Sequence, residues 1–228
     1  MSLIEPNPSP AAMLALFARW ADFAGPSDPS LNTLLYVHPE QHNMQVIYAL
    51  GLQDLMASGL SNARKVGWRF LACSALRQAV AANLAQVGDE PPQMTALTRG
   101  TEIASAIRAA QRVREFPPAK DPNNEYELRV LKIPGILLEV FWLKAKTGND
   151  LVVPYFALFC DQLNVMRVLQ VDEFLRIVNP LVQKRLQNSL RTETGKGVGY
   201  DSASSAAGYG GKDSGNQPQA SSATTSQG

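Results

Sequence analysis

The stretch "KIPGILLEVFWLKAKTGNDLVVPYFALFC", residues 132–160, is the most apolar part of the 228-residue chain and decides which fold we expect. Its β-branched and aromatic runs, "GILLEVFWLKAK" and "LVVPYF", flank the polar sequence "TGND", which is typical of a hairpin turn. Pro154 places the second run at a sheet edge or ends it early. The apolar run 133–143 is only 11 residues long, whereas a membrane helix needs roughly 18 to 20. We therefore predict a β-hairpin and no membrane insertion.

The segments on either side of this stretch extend the prediction. Residues 125–133, "EYELRVLKI", alternate apolar and charged side chains, which is the period of a half-buried strand. A helix is predicted from about Val171 to Leu190, with acidic residues in its first turn, basic residues in its last turn and a kink at Pro180. Residues 125–157 should thus form an antiparallel β-meander that is followed by a C-terminal helix.

Four helices are predicted before residue 117. The first covers residues 9–25, with Ser9 as its N-cap and Pro10 at its first position. The others cover residues 39–59, 61–88 and 93–116, and the third is Ala-rich with apolar residues at helical spacing. The predicted fold class is therefore α+β, with a mostly helical core and a small antiparallel β-meander.

The predicted organisation has three parts. Residues 1–120 form a helical part of about four helices, and residues 121–191 form the β-meander and the C-terminal helix, which pack on the same core. Residues 192–228 contain no Leu, Ile, Met, Phe or Trp and are rich in Gly and Ser. Such a segment buries too little apolar surface to offset the entropy of ordering, so a disordered tail is predicted.

Charge is distributed unevenly along the chain. Residues 1–60 carry one basic and five acidic residues, whereas residues 61–120 carry nine basic and four acidic ones. This asymmetry favours a solvated surface that is balanced within one molecule, but it also fits contacts between copies or with phosphates. Seven basic residues would line a phosphate-binding groove if the third and fourth helices were antiparallel. They are Arg64, Lys65, Arg69, Arg99, Arg108, Arg112 and Arg114.

Patterns that suggest a metal, cofactor or nucleophile site are incomplete. His38 and His42 have helical i,i+4 spacing, but Pro39 places His38 before the helix, and no further ligand lies at short spacing. Cys73 and Cys160 lie in apolar surroundings and are expected to fill core space. The glycines of "TETGKGVGYD", residues 192–201, lack the preceding strand and the Ser or Thr of a phosphate-binding loop. We therefore predict no catalytic, cofactor-binding or metal-binding residues among these groups.

Glu139 is the one carboxylate that stands in an apolar strand. Both faces of that strand are apolar, so Glu139 is expected to be buried or half-buried, and burial would raise its pKa toward that of a general acid. The favoured interpretation is an ion pair with Arg129 or Lys132, because no second catalytic group accompanies Glu139.

These observations favour a non-enzymatic function. The leading hypothesis is a soluble, cytoplasmic assembly or adaptor protein that contacts a protein partner or further copies of itself and needs no cofactor. Residues 1–30 lack the pattern of a secretory signal peptide. The first alternative is a nucleic-acid-packaging subunit, such as a coat or nucleocapsid protein, that uses the basic segment 61–120. The second is an enzyme that uses Glu139.

Overall fold

The computed structural model describes residues 2–4, 7–24, 44–73, 79–115 and 125–194. Within these residues the strands are β1 Ser2–Ile4, β2 Met44–Ala49, β3 Arg64–Cys73, β4 Ala79–Ala85, β5 Gln93–Arg99, β6 Glu125–Ile133, β7 Leu138–Ala145, β8 Leu151–Ala157 and β9 Leu169–Gln170. The α-helices are α1 Pro10–Ala24, α2 Leu52–Ser58, α3 Thr101–Glu115 and α4 Val171–Thr194.

The described strands form one nine-stranded mixed sheet, in the order β5-β4-β3-β2-β6-β7-β8-β9. β2 is parallel to β6, and β1 pairs in parallel with the first residues of β6, so β1 and β2 lie end to end along the same strand. All other neighbouring strands are antiparallel. Helix and strand each account for 38% of the described residues, so the predicted mostly helical core with a small meander is wrong.

Both faces of the sheet are covered by helices. α3 packs against β4 and β8 on one face, where its alanines meet Ala81 and the apolar side chains of β6, β7 and β8. On the other face α1 covers β4 and β5. α2 and α4 cover the half of that face formed by β6, β7 and β8. The sheet is therefore buried on both sides over much of its width.

The prediction of a helix at residues 61–88 is wrong because this segment contains the antiparallel strands β3 and β4. Trp68 and Phe70 pack under α1, while Leu71 and Ala81 face α3. Since both faces are buried, no polar residue marks every second position, and the period of a strand is hidden. The alanines of residues 61–88 suggested a helix. In the structure Ala81 packs in one cluster with alanines of α3, and these small side chains let α3 approach the sheet closely.

Two further helix predictions are correct only in part. Residues 39–59 contain strand β2 followed by the short helix α2, and residues 93–116 contain strand β5 followed by α3. In each case an apolar strand leads directly into a helix. A window long enough to detect helical periodicity covers both elements and assigns them as one helix.

The structure confirms several elements that were predicted from local sequence signals. The Ser9 hydroxyl accepts a hydrogen bond from the Ala12 N–H at 3.1 Å and caps α1 as predicted. β6, the β7–β8 hairpin and α4 are also confirmed. α4 extends to Thr194, and the remainder of the predicted tail lies outside the described residues. Among the described residues no helix is long and apolar enough to cross a membrane.

Candidate functional site

Glu139 lies at the centre of a cluster of polar side chains on the face of the sheet that carries α3. Arg69 holds both carboxylate oxygens: its Nη1 donates to Oε2 at 2.7 Å and its Nη2 to Oε1 at 3.3 Å. The Tyr155 hydroxyl donates to Oε2 at 2.8 Å and accepts a hydrogen bond from Arg69 at 2.9 Å. Lys132 approaches Oε1 to 3.1 Å. Each oxygen of Glu139 thus has two donors.

The cluster is largely shielded from water. The side chain of Arg69 is 3% exposed and that of Glu139 is 22% exposed. Burial alone would raise the pKa of Glu139, but the charge and hydrogen bonds of Arg69, together with Lys132, outweigh it and lower the pKa to about 2. Burial and the nearby Arg69 lower the pKa of Lys132. Glu139 therefore carries no proton near neutral pH and is unsuited to act as a general acid.

This cluster connects strands that are distant in the sheet. Arg69 on β3 also donates from Nε to Asn83 on β4, at 3.1 Å, while its other nitrogens reach β7 and β8. β3 and β8 are four strand spacings apart, or about 19 Å in a flat sheet, and an extended Arg and a Tyr together do not span that distance. The sheet must therefore curl toward α3, and the cluster holds it in that shape.

Of the two cations expected beside Glu139, only Lys132 contacts it. Arg129 lies on the opposite face of β6, where its guanidinium stacks on Tyr48 and Trp142 and bonds Glu127 at 2.6 Å. The alternation of β6 explains the difference, because residues 129 and 132 are separated by an odd number of positions. Sequence alone did not indicate which face the carboxylate occupies.

The seven basic residues predicted to contact phosphate do not line one groove. The predicted groove required two antiparallel helices, and residues 61–88 form a hairpin instead. Arg69 is neutralised inside the protein by Glu139. The strand register places Arg99 on β5 level with Ala72 on β3. Arg64 is eight residues from Ala72 on β3, so Arg64 and Arg99 are separated by about 26 Å along the strands. Lys65 stacks on Trp68 in the first half of β3. The remaining three basic residues, Arg108, Arg112 and Arg114, are exposed on α3.

The other candidate residues are placed as follows. His38 and His42 lie outside the described residues, as does the glycine-containing segment after Thr194. Cys160 is buried in the core under α4, and burial raises the pKa of its thiol. Cys73 ends β3, but its side chain lies outside the described part. Within the described ranges no three His, Cys, Asp or Glu side chains come close enough to hold a metal ion.

The most unusual surface is the outer face of α1. Its inner face, with Leu16 and Trp20, is buried against β4 and β5. On its outer face Leu14 is 70% and Phe17 is 43% exposed. The helix carries only two charged residues, Arg19 and Asp22, and these pair with each other at 3.1 Å. α1 is therefore apolar on both sides, which is unusual for a surface helix.

β5 lies beside this helix at the end of the sheet. Its only strand partner in the described part of the chain is β4. The hydroxyls of Thr95 and Thr98 bond backwards to carbonyl groups of β4. Proline and acidic residues, which blunt many edge strands, are absent from "QMTALTR". α1 packs over β5 and β4, so its outer face and the outer edge of β5 lie at the same end of the sheet, and together we call them the assembly surface.

Sequence reasoning missed Asn83 and Tyr155, which complete the cluster around Glu139. Tyr155 follows Pro154 in an apolar run, and the sequence does not indicate which residue its hydroxyl group bonds. The available signal was Arg69, a charged residue between Trp68 and Phe70 that needs a counter-charge once the segment is read as a buried strand.

Comparison of the chain with protein-family models, with curated proteins and with solved structures found no match. Function is therefore inferred from these residues and surfaces alone.

Proposed function

We propose that this protein is a non-enzymatic, self-associating subunit whose copies meet through the assembly surface. The observation that carries the proposal is the exposed apolar face of α1, with Leu14 and Phe17, together with the edge of β5 that has no strand partner among the described residues. Exposed contiguous apolar surface and an unprotected edge strand are each typical of protein contact sites. Their position at the same end of the sheet supports a single interface.

A second copy of the same chain is the partner that best fits this surface. Two β5 strands that pair in antiparallel orientation about a twofold axis satisfy each other's backbone groups and extend the sheet. The same axis would bring the two α1 helices side by side, so Leu14 and Phe17 would lose their contact with water. The Arg19–Asp22 pair leaves α1 without net charge, so the two copies would not repel each other there.

The two alternative functions have less support. An enzyme that uses Glu139 as a general acid conflicts with the low pKa of that carboxyl group, which the contacts with Arg69 and Lys132 explain. The nucleic-acid hypothesis no longer has the two-helix groove on which it was based, because residues 61–88 form strands.

Sedimentation velocity over a wide concentration range tests the proposal. We expect a reversible monomer–dimer equilibrium, and we expect amide hydrogen exchange in residues 93–99 to slow as the dimer forms, because edge amides gain partners. Leu14→Glu places a charge at the centre of the contact and should weaken dimerisation by at least about tenfold. Phe17→Glu should act in the same direction.

Leu158→Glu is the matched control, since Leu158 is 53% exposed but follows β8, near the opposite end of the sheet from β5 and α1. It should leave the dimer unchanged. A protein that stays monomeric at every concentration would exclude self-association. A dimer that withstands Leu14→Glu and Phe17→Glu would show that copies associate through a different surface.

A further inference from the structure

A cleft of about 540 Å³ lies on the face of the sheet opposite α3. Its walls come from the loop that follows α2, the turn between β7 and β8, and the first residues of α4. The volume lies in the range of small-molecule sites, which is roughly 300 to 1,000 Å³. The cleft is far from the assembly surface, which lies at the β5 end of the sheet.

The polar groups at the back of the cleft are held in fixed positions. Asp150 accepts hydrogen bonds from Trp142 Nε1 at 2.9 Å, from Lys144 at 3.0 Å and from the Ala145 N–H at 2.9 Å. Arg129 is fixed by Glu127 and by the rings of Tyr48 and Trp142. Such positions are set before a ligand arrives, so binding costs little ordering entropy.

The charges on the walls balance. The lining holds two cations, Arg129 and Lys144, and two carboxylates, Asp150 and Asp172. Both cations are already paired, Lys144 with Asp150 and Arg129 with Glu127. An anionic ligand would therefore have to compete with the carboxylates that already hold both cations. Uncharged donors and acceptors complete the lining, among them Ser61 and Asn149.

We propose that this cleft binds a neutral polyhydroxylated molecule, of the saccharide class. Each hydroxyl group of such a ligand both donates and accepts, which matches walls that offer carboxylate acceptors and cationic donors side by side. A hydroxyl-bearing ligand can replace the water that contacts the polar wall groups with hydrogen bonds of its own, whereas an apolar ligand would displace that water without replacement. The proposal does not depend on self-association.

The indole N–H of Trp142 provides a probe at the site, since it donates to Asp150. The chain has three Trp residues. Of the other two, Trp20 lies on the inner face of α1 and Trp68 packs beneath that helix. In proton–nitrogen correlation spectra we expect glucose or maltose to shift the Trp142 signal saturably and to leave the other two in place. The expected Kd is about 1 mM for a small neutral ligand.

Asn149→Ala removes one amide from the cleft and should weaken saccharide binding about tenfold. Asn164→Ala is the matched control, because Asn164 is also exposed in a loop but lies outside the cleft. Adenosine monophosphate serves as an anionic probe. The proposal is overturned if neither saccharide moves the Trp142 signal, if the phosphate compound moves it at lower concentration, or if Asn149→Ala binds saccharide as tightly as the wild type.

Discussion

Replacing Glu139 by Gln tests the role of the buried cluster most directly. The substitution keeps the shape of the side chain and removes its charge, so Arg69, which is 3% exposed, loses its counter-ion. The lowered pKa of about 2, against an ordinary 4.5, corresponds to about 3 kcal/mol of stabilisation at neutral pH. Removal of one partner from a buried ion pair costs about 3–5 kcal/mol in other proteins. We therefore expect Glu139→Gln to lower the free energy of unfolding by about 3–5 kcal/mol.

The same pKa predicts a dependence on pH. The native carboxylate binds a proton less readily than the unfolded one, so its contribution is complete above the ordinary pKa of 4.5 and is lost as pH falls through about 2. Wild-type stability should fall across this window. Glu139→Gln has no proton to bind at this position and should lack that part of the decrease.

Urea unfolding, followed by far-ultraviolet circular dichroism at pH 7 and at several pH values below 5, measures both effects. Glu125→Gln is the control, because Glu125 pairs with the exposed Lys146 at 2.9 Å, and exposed pairs contribute little. If Glu139→Gln costs no more than Glu125→Gln, the cluster does not hold the sheet as described.

A double variant distinguishes loss of the pair from general damage to the fold. Arg69→Met together with Glu139→Gln removes both charged partners, so no uncompensated guanidinium remains in the interior. We expect the double variant to be more stable than the sum of the two single changes predicts. Simple additivity would refute the inference that Arg69 and Glu139 act as a pair.

Three further substitutions test the packing of the sheet by the same urea titrations. Gly67→Ala should lower the free energy of unfolding by more than about 3 kcal/mol, since its φ is +156° and an added Cβ would lie 1.9 Å from the Leu84 carbonyl oxygen. Gly88→Ala, at φ +56° with open space around it, should cost only about 1 kcal/mol, and equal costs would contradict the assigned β3–β4 contact. Gln45→Met should stabilise the protein by about 1 kcal/mol, because both amide atoms of Gln45 are buried without a hydrogen-bond partner among the described residues. A destabilised Gln45→Met would instead show that this amide has a partner.

Part of the fold follows from local signals. The cap at Ser9, the alternation of residues 125–133 and the turn at "TGND" each depend on neighbours within a few positions, and the structure confirms the helix, the strand and the hairpin that they predict. A capping hydroxyl and the residues of a turn can be recognised from a few neighbouring positions. A strand with one face in water can be recognised too, because polar residues occupy every second position.

The strands in the first half of the sheet do not show such a pattern in the sequence. β2, β3 and β4 are covered on both faces, so the solvent does not impose a period of two on their residues. Alanines in β4 are present because α3 packs against them, and the same alanines favoured a helix when read along the chain. Neighbours in space, rather than in sequence, determine these strands.

The sequence by itself determined that the chain has an apolar β-hairpin with an unusual carboxylate, a capped helix near its start and a helix near residue 171 with an acidic first turn. Only the tertiary structure decided that Glu139 meets Arg69, which is 70 positions away, and Tyr155. The physical reason is that a buried charge needs a counter-charge, but any of several cations in the chain satisfies that need. The curl of the sheet brings Arg69 to Glu139, the β6–β7 register places Lys132 directly opposite it, and strand alternation turns Arg129 to the opposite face.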